Sequence, residues 1–284
     1  MAVPQTVGVL GGGRMGAGIA HAFLLSGARV QLVERDDESA DAARERVLSS
    51  VAASVTRGDL EAAAAATAAL SVGTDVAAFA GAGLVIEAVP EDRDLKVDAL
   101  ARIEAVLSEN AVLASNTSSI SIDVLAAPLT RPERFLGLHF FNPVPASKLV
   151  ELVVGCRTDA DVVAVGRGWV AALGKTPVVV RDSPGFASSR LGVMLGLEAI
   201  RMLEEGVADA VDIDAAMELG YRHPMGPLRT TDVVGLDVRL GIAEELAREL
   251  GPRFEPPALL RRLVAEGKLG RKSGEGFYVW NEER

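Results

Sequence analysis

The chain lacks most of what would mark a secreted, membrane-bound or nucleic-acid-binding protein. Its 284 residues contain one cysteine, Cys156, so no disulfide can close within it and a reducing compartment is expected. Basic side chains number 29 against 39 acidic ones, and the formal charge of −10 excludes a general nucleic-acid binder, which needs Lys and Arg for phosphate contacts. The start, Met1-Ala2-Val3-Pro4-Gln5, has no basic stretch, and no uncharged run reaches membrane-spanning length. A soluble, cytoplasmic protein is expected. Histidine is scarce as well, with three in the chain, so one set inside an apolar run stands out.

What is present is an ordinary globular balance, 49% hydrophobic and 24% charged. The length exceeds what one core usually serves, so one large or two unequal domains are expected. The run Leu138-His139-Phe140-Phe141-Asn142-Pro143-Val144-Pro145 looks like a strand entering the interior and then forced to turn by two prolines. A second apolar run, Leu149 to Val154, carries one acid, Glu151. An imidazole and a carboxylate at the same depth of neighbouring strands are what a general base and its orienting partner need, although a structural His beside a surface Glu has the same sequence.

The N-terminal stretch has its own signature. The β-branched run Thr6–Leu10 leads into Gly11-Gly12-Gly13-Arg14-Met15-Gly16, and a helix-forming segment follows to Leu25. In that order Gly11 permits a tight turn, Gly13 lets the backbone approach a pyrophosphate, and Gly16 lets helix and strand pack closely. Phosphates would face the helix N-terminus. Glu34, 18 residues beyond Gly16 at the end of a second strand, suits a ribose hydroxyl and favours NAD over NADP; Arg35 beside it is the one competing cation.

The rest reads as an α/β alternation followed by helices. A helical pattern is expected from Asp36 to Ala69, then strands at Leu84–Val89 and Ala111–Ser115, each ending in polar residues where open sheets place ligands. Glu91 and Lys96 follow the first of these strands, and Asn116-Thr117-Ser118-Ser119 the second. A helix at Asp159–Leu173 and a strand at Lys175–Val180 end the first domain, with a boundary at Asp182-Ser183-Pro184-Gly185. Beyond it helices are expected at Phe186–Glu205, Val211–Leu219, Leu236–Leu250 and Pro257–Glu266. Leu191, Leu195, Ala199 and Met202 form an apolar face on the first of them. The tail from Gly270 reads as a glycine-rich loop into a short strand.

Together these stretches resemble the L-3-hydroxyacyl-CoA dehydrogenase family, including its 3-hydroxybutyryl-CoA members. Seven blocks are collinear with it, from Gly11–Ala20 through Glu87–Lys96, Ser115–Ser119, Gly137–Glu151, Pro184–Phe186 and His223–Leu236 to Gly270–Tyr278. The resemblance implies a Rossmann-type NAD-binding domain over 1–183 and an all-α substrate-binding and dimerisation domain over 184–284, with acyl-CoA in the cleft between them. It implies NAD as cofactor, no metal, and a homodimer acting in fatty acid metabolism, including β-oxidation. Carried over by position, His139 is the general base, Glu151 its orienting partner, and Ser118 a hydrogen-bond donor to the substrate oxygen. Asn142 stands at the nicotinamide and the substrate. Gly11, Gly13, Arg14, Met15, Gly16 and Glu34 would hold the cofactor's adenosine diphosphate half, and Glu91, Lys96 and Lys272 would lie near its nicotinamide half. Ser50 and Arg57, two helical turns apart, correspond to coenzyme A contacts. Ser189 stands where the family commonly has an Asn, leaving a shorter group with one hydroxyl. Two alternatives share the scaffold: a dehydrogenase of a free hydroxy acid or sugar acid, and a dinucleotide-binding protein without turnover.

Overall fold

The computed structural model describes residues 2–280, so the outer limits expected for the two domains, 1 and 284, lie outside it. The chain divides between Ser183 and Pro184 into two compact units.

In the first unit eight strands form one sheet: β1 (Thr6–Leu10), β2 (Arg29–Val33), β3 (Leu70–Gly73), β4 (Leu84–Glu87), β5 (Val112–Ser115), β6 (Phe135–Phe140), β7 (Leu149–Val154) and β8 (Thr176–Arg181). Their spatial order is β3-β2-β1-β4-β5-β6-β7-β8. The pairs from β3 through β6 are parallel, β7 runs antiparallel to β6, and β8 is parallel to β7. The order reverses between β1 and β4, the kind of point where doubly wound sheets open a crevice at their strand ends. Every residue of β4, β5 and β6 is buried, which is why these strands read as near-continuous apolar runs. The connecting helices are α1 (Arg14–Leu25), α2 (Asp37–Arg57), α3 (Ala63–Ala68), α4 (Arg93–Glu104), α5 (Ile122–Ala126) and α6 (Ala160–Ala172). Asp36 caps α2 through Ser39 N at 2.7 Å, and Asp92 caps α4 through Leu95 N at 2.8 Å. Val7, Val9, Ile19 and Phe23 sit at the centre of the core, each no more than 1% exposed and each stabilising by roughly 1.5–3 kcal/mol on burial.

One expectation fails here. The segment Asp36–Ala69 is not continuously helical: α2 stops at Gly58, whose φ of 80° is left-handed, and after α3 the chain enters β3. Leu-Ser-Val-Gly is too short to announce a strand. Its pairing with β2, Val30 opposite Leu70 through Val33 opposite Gly73, makes it one.

The second unit is helical, with α7 (Ser188–Glu204), α8 (Ala210–Tyr221), α9 (Pro227–Val234), α10 (Leu236–Leu250) and α11 (Ala258–Ala265) around Val193, Leu197, Ile200, Leu228, Leu246, Phe254 and Leu260. Helix α9 was not expected after the proline-rich His223–Pro227. Pro227 stands in its first turn, and the Asp214 carboxylate on α8 accepts from Leu228 N at 2.8 Å and Arg229 N at 2.9 Å. A cap supplied from another helix leaves no local signal. The tail also departs from expectation. It forms a short 3₁₀ turn at Arg271–Ser273 and two isolated bridges, Gly270 with Glu275 and Glu275 with Val279, rather than a named strand.

Candidate active site

The carboxyl ends of the first unit's strands surround a cavity of about 950 Å³. Its floor begins at the glycine loop between β1 and α1. Gly11 turns there with φ +93°, a conformation open to glycine, and a Cβ on Gly16 would lie 1.7 Å from the Gly11 carbonyl oxygen. Glycine at 16 therefore lets α1 pack against the loop, and Gly16 itself is buried. Gly11, Gly13, Arg14 and Met15 line the cavity, and space is open where a Gly13 Cβ would stand. Helix α1 has no side-chain cap and no acid in its first turn, so its N–H groups and its positive dipole end remain available to an anion.

Glu34 follows β2, and its Oε1 accepts from Gly12 N at 2.6 Å, which ties the acid to the loop. Arg35 beside it also lines the cavity, and its Nε donates to Asp36 Oδ2 at 3.0 Å in an exposed ion pair. The charge tied to the loop is the Glu34 carboxylate, the group that takes a ribose hydroxyl and repels a phosphate on it.

At the other end of the cavity, the β6–β7 register places His139 directly opposite Glu151. Directly opposed residues share a sheet face, so the two side chains meet, His139 Nδ1 to Glu151 Oε2 at 2.9 Å. Both are buried, and His139 lines the cavity while Glu151 stands behind it. An ionised carboxylate is an acceptor only, so Nδ1 carries the proton and donates, leaving Nε2 as the basic nitrogen. The Phe141 ring lies 4.4 Å from the imidazole, and the Asn142–Pro143 bond that follows is cis. Lys175 Nζ donates to the carbonyls of Val144 and Ser147, each at 2.6 Å, and ties this loop to the sheet. Asn142 lines the cavity from the loop's start.

Between these ends a polar relay crosses from β4 to β5. Buried Lys96 meets Glu87 at 2.7 Å and Glu91 at 3.3 Å, and a cation between two carboxylates is better compensated than a lone buried charge. Glu87 also accepts from Ser115 Oγ at 2.6 Å and Val89 N at 2.7 Å. Burial pushes the Glu87 carboxyl up while Lys96 opposes it. Burial also pushes Glu91 up, but Lys96 and donors from Thr117 and Ser118 outweigh it and hold that carboxyl below its ordinary range. Glu91 Oε1 accepts from Thr117 Oγ1 at 2.6 Å and Ser118 N at 2.9 Å, which orients the 116–119 turn. Lys96, Glu91 and Ser118 all reach the cavity wall.

The chain matches the model for the 3-hydroxyacyl-CoA dehydrogenase NAD binding domain over residues 6–183 and that for the family's C-terminal domain over 185–280. The chain belongs to the 3-hydroxyacyl-CoA dehydrogenase family. It is 43% identical over 281 residues to the 3-hydroxybutyryl-CoA dehydrogenase of Mycobacterium tuberculosis, spanning 97% of this chain and 98% of that one. A probable 3-hydroxybutyryl-CoA dehydrogenase of Deinococcus radiodurans is 40% identical, spanning 96% and 99%. The crystal structure of (S)-3-hydroxybutyryl-CoA dehydrogenase from Ralstonia eutropha superposes with a TM-score of 0.94 at 42% identity, covering 98% of this chain and 100% of that one. Residues 6–183 are thus an NAD-binding domain, and the chain is an NAD-dependent oxidoreductase of this family.

Other residues of this dehydrogenase fall elsewhere. Ser50 lines a second hollow of about 560 Å³, with Arg14, Arg46 and Asn142 shared between the two hollows. Arg57 lines neither. It pairs with Asp59 at 2.9 Å and donates to Ser54 Oγ at 2.9 Å, which in turn meets His21 Nε2 at 2.9 Å. In the helical unit Ser189 lies in the first turn of α7, and Lys272 Nζ donates to both Asp237 oxygens at 2.5 and 2.6 Å. Sequence reasoning passed over Glu87 and Arg46, while Asn116, in the polar turn expected to meet a ligand, lines the cavity and its Oδ1 accepts from Phe140 N at 2.8 Å. Glu87 had a legible signal, a lone acid inside an apolar strand. Arg46 had none among the many charges of α2.

Proposed function

We propose that the chain catalyses the reversible NAD-dependent oxidation of a short-chain (S)-3-hydroxyacyl-CoA, with 3-hydroxybutyryl-CoA the fitting substrate, to the 3-ketoacyl-CoA. The observation that carries this reading is the His139–Glu151 pair opening on the same cavity as the glycine loop. The loop suits NAD: open space at Gly13, free N–H groups on α1, and Glu34 rather than a cation at the ribose position. Gly11, Gly13, Arg14, Met15 and Glu34 would hold its adenosine diphosphate half, with Gly16 shaping the loop, and Glu91, Asn142 and Ser118 would stand along its nicotinamide half. NAD supplies the hydride acceptor when bound; proton handling and orientation fall to the chain. In oxidation His139 Nε2 removes the proton of the C3 hydroxyl. Glu151 holds the ring in the tautomer that makes Nε2 basic and stabilises the imidazolium that forms. Ser118 donates a hydrogen bond to the oxygen on which charge develops. In reduction the same imidazolium returns the proton. Lys96, locked between Glu87 and Glu91, positions Glu91 and the turn carrying Ser118.

The test is NADH consumption with acetoacetyl-CoA beside acetoacetate, a longer 3-ketoacyl-CoA and NADPH. Turnover of acetoacetyl-CoA with NADH, and little with acetoacetate or NADPH, is the expected result. Turnover of acetoacetate alone would replace the reading with a free hydroxy-acid dehydrogenase.

The same proposal takes the chain to act as a homodimer in cytoplasmic fatty acid metabolism. Leu191, Leu219 and Tyr221 are 71, 83 and 75% exposed on the helical unit, apolar side chains that a second copy would cover. Ala199 of the expected α7 face is buried in that unit's own core and Met202 packs against it, which leaves exposed Leu191 and half-buried Leu195 for a partner. Among the described residues no helix is long and apolar enough to cross a membrane. Light scattering should give twice the chain mass, and Leu191→Glu should shift it towards one copy.

A further inference from the structure

We propose that Glu87 is a positioning residue that acts through Lys96 and Glu91 to set the charge facing the nicotinamide, so that the site holds the oxidised, cationic ring in preference to the reduced, neutral one. The inference rests on the dehydrogenase reading above and deepens it. Glu87 is fully buried and does not line the cavity, so it reaches a ligand only through other groups.

The sheet puts Glu87 at the reacting end. It pairs with Ser115 on β5, and Ser115 pairs with Gly137 on β6. In-register neighbours share a sheet face and side chains alternate along a strand, so Glu87, Ser115 and His139 lie on one face, with Glu151 opposite His139. Two strand spacings, about 10 Å, separate Glu87 from the strand that carries the base. Hydride transfer requires the nicotinamide beside the carbon whose hydroxyl His139 deprotonates, which places the ring at this end of the cavity.

The hydrogen bonds fix the charge. Glu87 meets three donors: Lys96 Nζ and Val89 N, each at 2.7 Å, and Ser115 Oγ at 2.6 Å. Ser115 Oγ already accepts from Thr117 N at 3.2 Å and gives its own proton to Glu87. A carboxylate with three donors and no acceptor before it is held ionised. Burial pushes this carboxyl up, and Lys96 and the other donors oppose it. Lys96 is fully spent as well, on Glu87, on the Val89 carbonyl at 3.1 Å and on Glu91 Oε2 at 3.3 Å. Two carboxylates around one ammonium leave a single negative charge, and Glu91 brings it to the cavity wall. Without Glu87 the ammonium and Glu91 would cancel. The nicotinamide loses its positive charge on taking up hydride, so a negative wall tightens NAD+ relative to NADH.

Calorimetric titration of NAD+, NADH and ADP-ribose into the full chain tests this. In Glu87→Gln the amide oxygen can accept from Lys96 and Val89 while the amide nitrogen donates to Ser115, so the charge goes and the hydrogen bonds stay. The ratio of the NAD+ to the NADH dissociation constant should rise about fivefold, as one charge at this range allows. ADP-ribose, which has no nicotinamide, should bind as before. Glu87→Asp keeps the charge and should keep the wild-type ratio. Glu87→Gln combined with Lys96→Met removes one charge of each sign, leaves no unpaired buried ion, and should return the ratio to the wild-type value. Equal weakening of NAD+ and NADH in Glu87→Gln, an equal loss with ADP-ribose, or a double variant whose ratio follows the single one overturns the proposal and makes Glu87 structural. The acetoacetyl-CoA assay separates the two readings. An unmoved ratio in a chain whose wild type reduces acetoacetyl-CoA overturns the role of Glu87 and leaves the reaction standing. A shifted ratio in a chain whose wild type turns over no thioester overturns the reaction and leaves the role of Glu87.

Discussion

Glu151 in the sheet unit and Asp232 in the helical unit are both fully buried carboxylates, and they have opposite consequences. Asp232 accepts from Phe277 N and Tyr278 N, each at 2.9 Å, and from Trp280 Nε1 at 2.7 Å. Those donors do not titrate at physiological pH, and all three come from the tail, so the acid clasps chain to chain. Arg229 lies over the Tyr278 and Trp280 rings, 4.4 and 5.5 Å from their centroids, and closes the clasp. Glu151 instead meets an imidazole that lines a cavity. The Asp232 donors are permanent, whereas the donor to Glu151 is an imidazole, a group able to gain and lose a proton, standing at a cavity wall.

The sharpest way to separate the two regions is His139→Ala. It should lower kcat with acetoacetyl-CoA by about 10³–10⁴ while NADH affinity, read by fluorescence titration, stays within about twofold. Full turnover in that variant would remove His139 from the reaction. Next in size, Asp232→Ala should destabilise the helical unit by roughly 3 kcal/mol, because three half-buried donors lose a charged acceptor. Urea unfolding measures this, and NADH binding by the sheet unit should be spared. Glu151→Gln keeps the volume and removes the charge, so kcat should fall about 10²-fold with NADH affinity unchanged. An equal loss in both would make Glu151 a clasp like Asp232.

The smallest effect concerns His21, buried on α1 of the sheet unit against Ser54. Burial lowers its pKa, with Arg57 and Lys175 acting in the same direction and Asp59 against them. Because the folded value lies below the unfolded one, the unfolded chain binds the proton more readily. The contribution to stability is therefore present above the ordinary histidine value near 6.5 and is lost as pH falls through it towards the folded value. Urea midpoints at pH 7.5 and 5.5 should diverge less in His21→Gln than in the wild type; an unchanged divergence would assign the loss to other groups.

The α/β-then-α order, the boundary at residue 183, the glycine turn and the opposed His139 and Glu151 were legible because each rests on local periodicity or on residues whose backbone needs are distinctive. Strand β3 was not, since four residues become a strand by pairing with β2 rather than by pattern. Helix α9 was hidden because Asp214, 14 residues before Leu228, supplies its cap. Arg57 looked from its spacing like a partner of Ser50, yet Asp59 and Ser54 claim its guanidinium.

By itself, then, the sequence determined the order of the elements and which residues are candidates for chemistry, through composition, period and turn residues acting over a few positions. Tertiary structure decided which charges are committed and which are open. Lys96 is spent between Glu87 and Glu91, Arg35 on Asp36, and Lys272 on Asp237, whereas Arg46 faces two hollows. The reason is physical: a charge's partner is chosen by distance and burial once the chain has folded, and neither quantity is written in the local pattern.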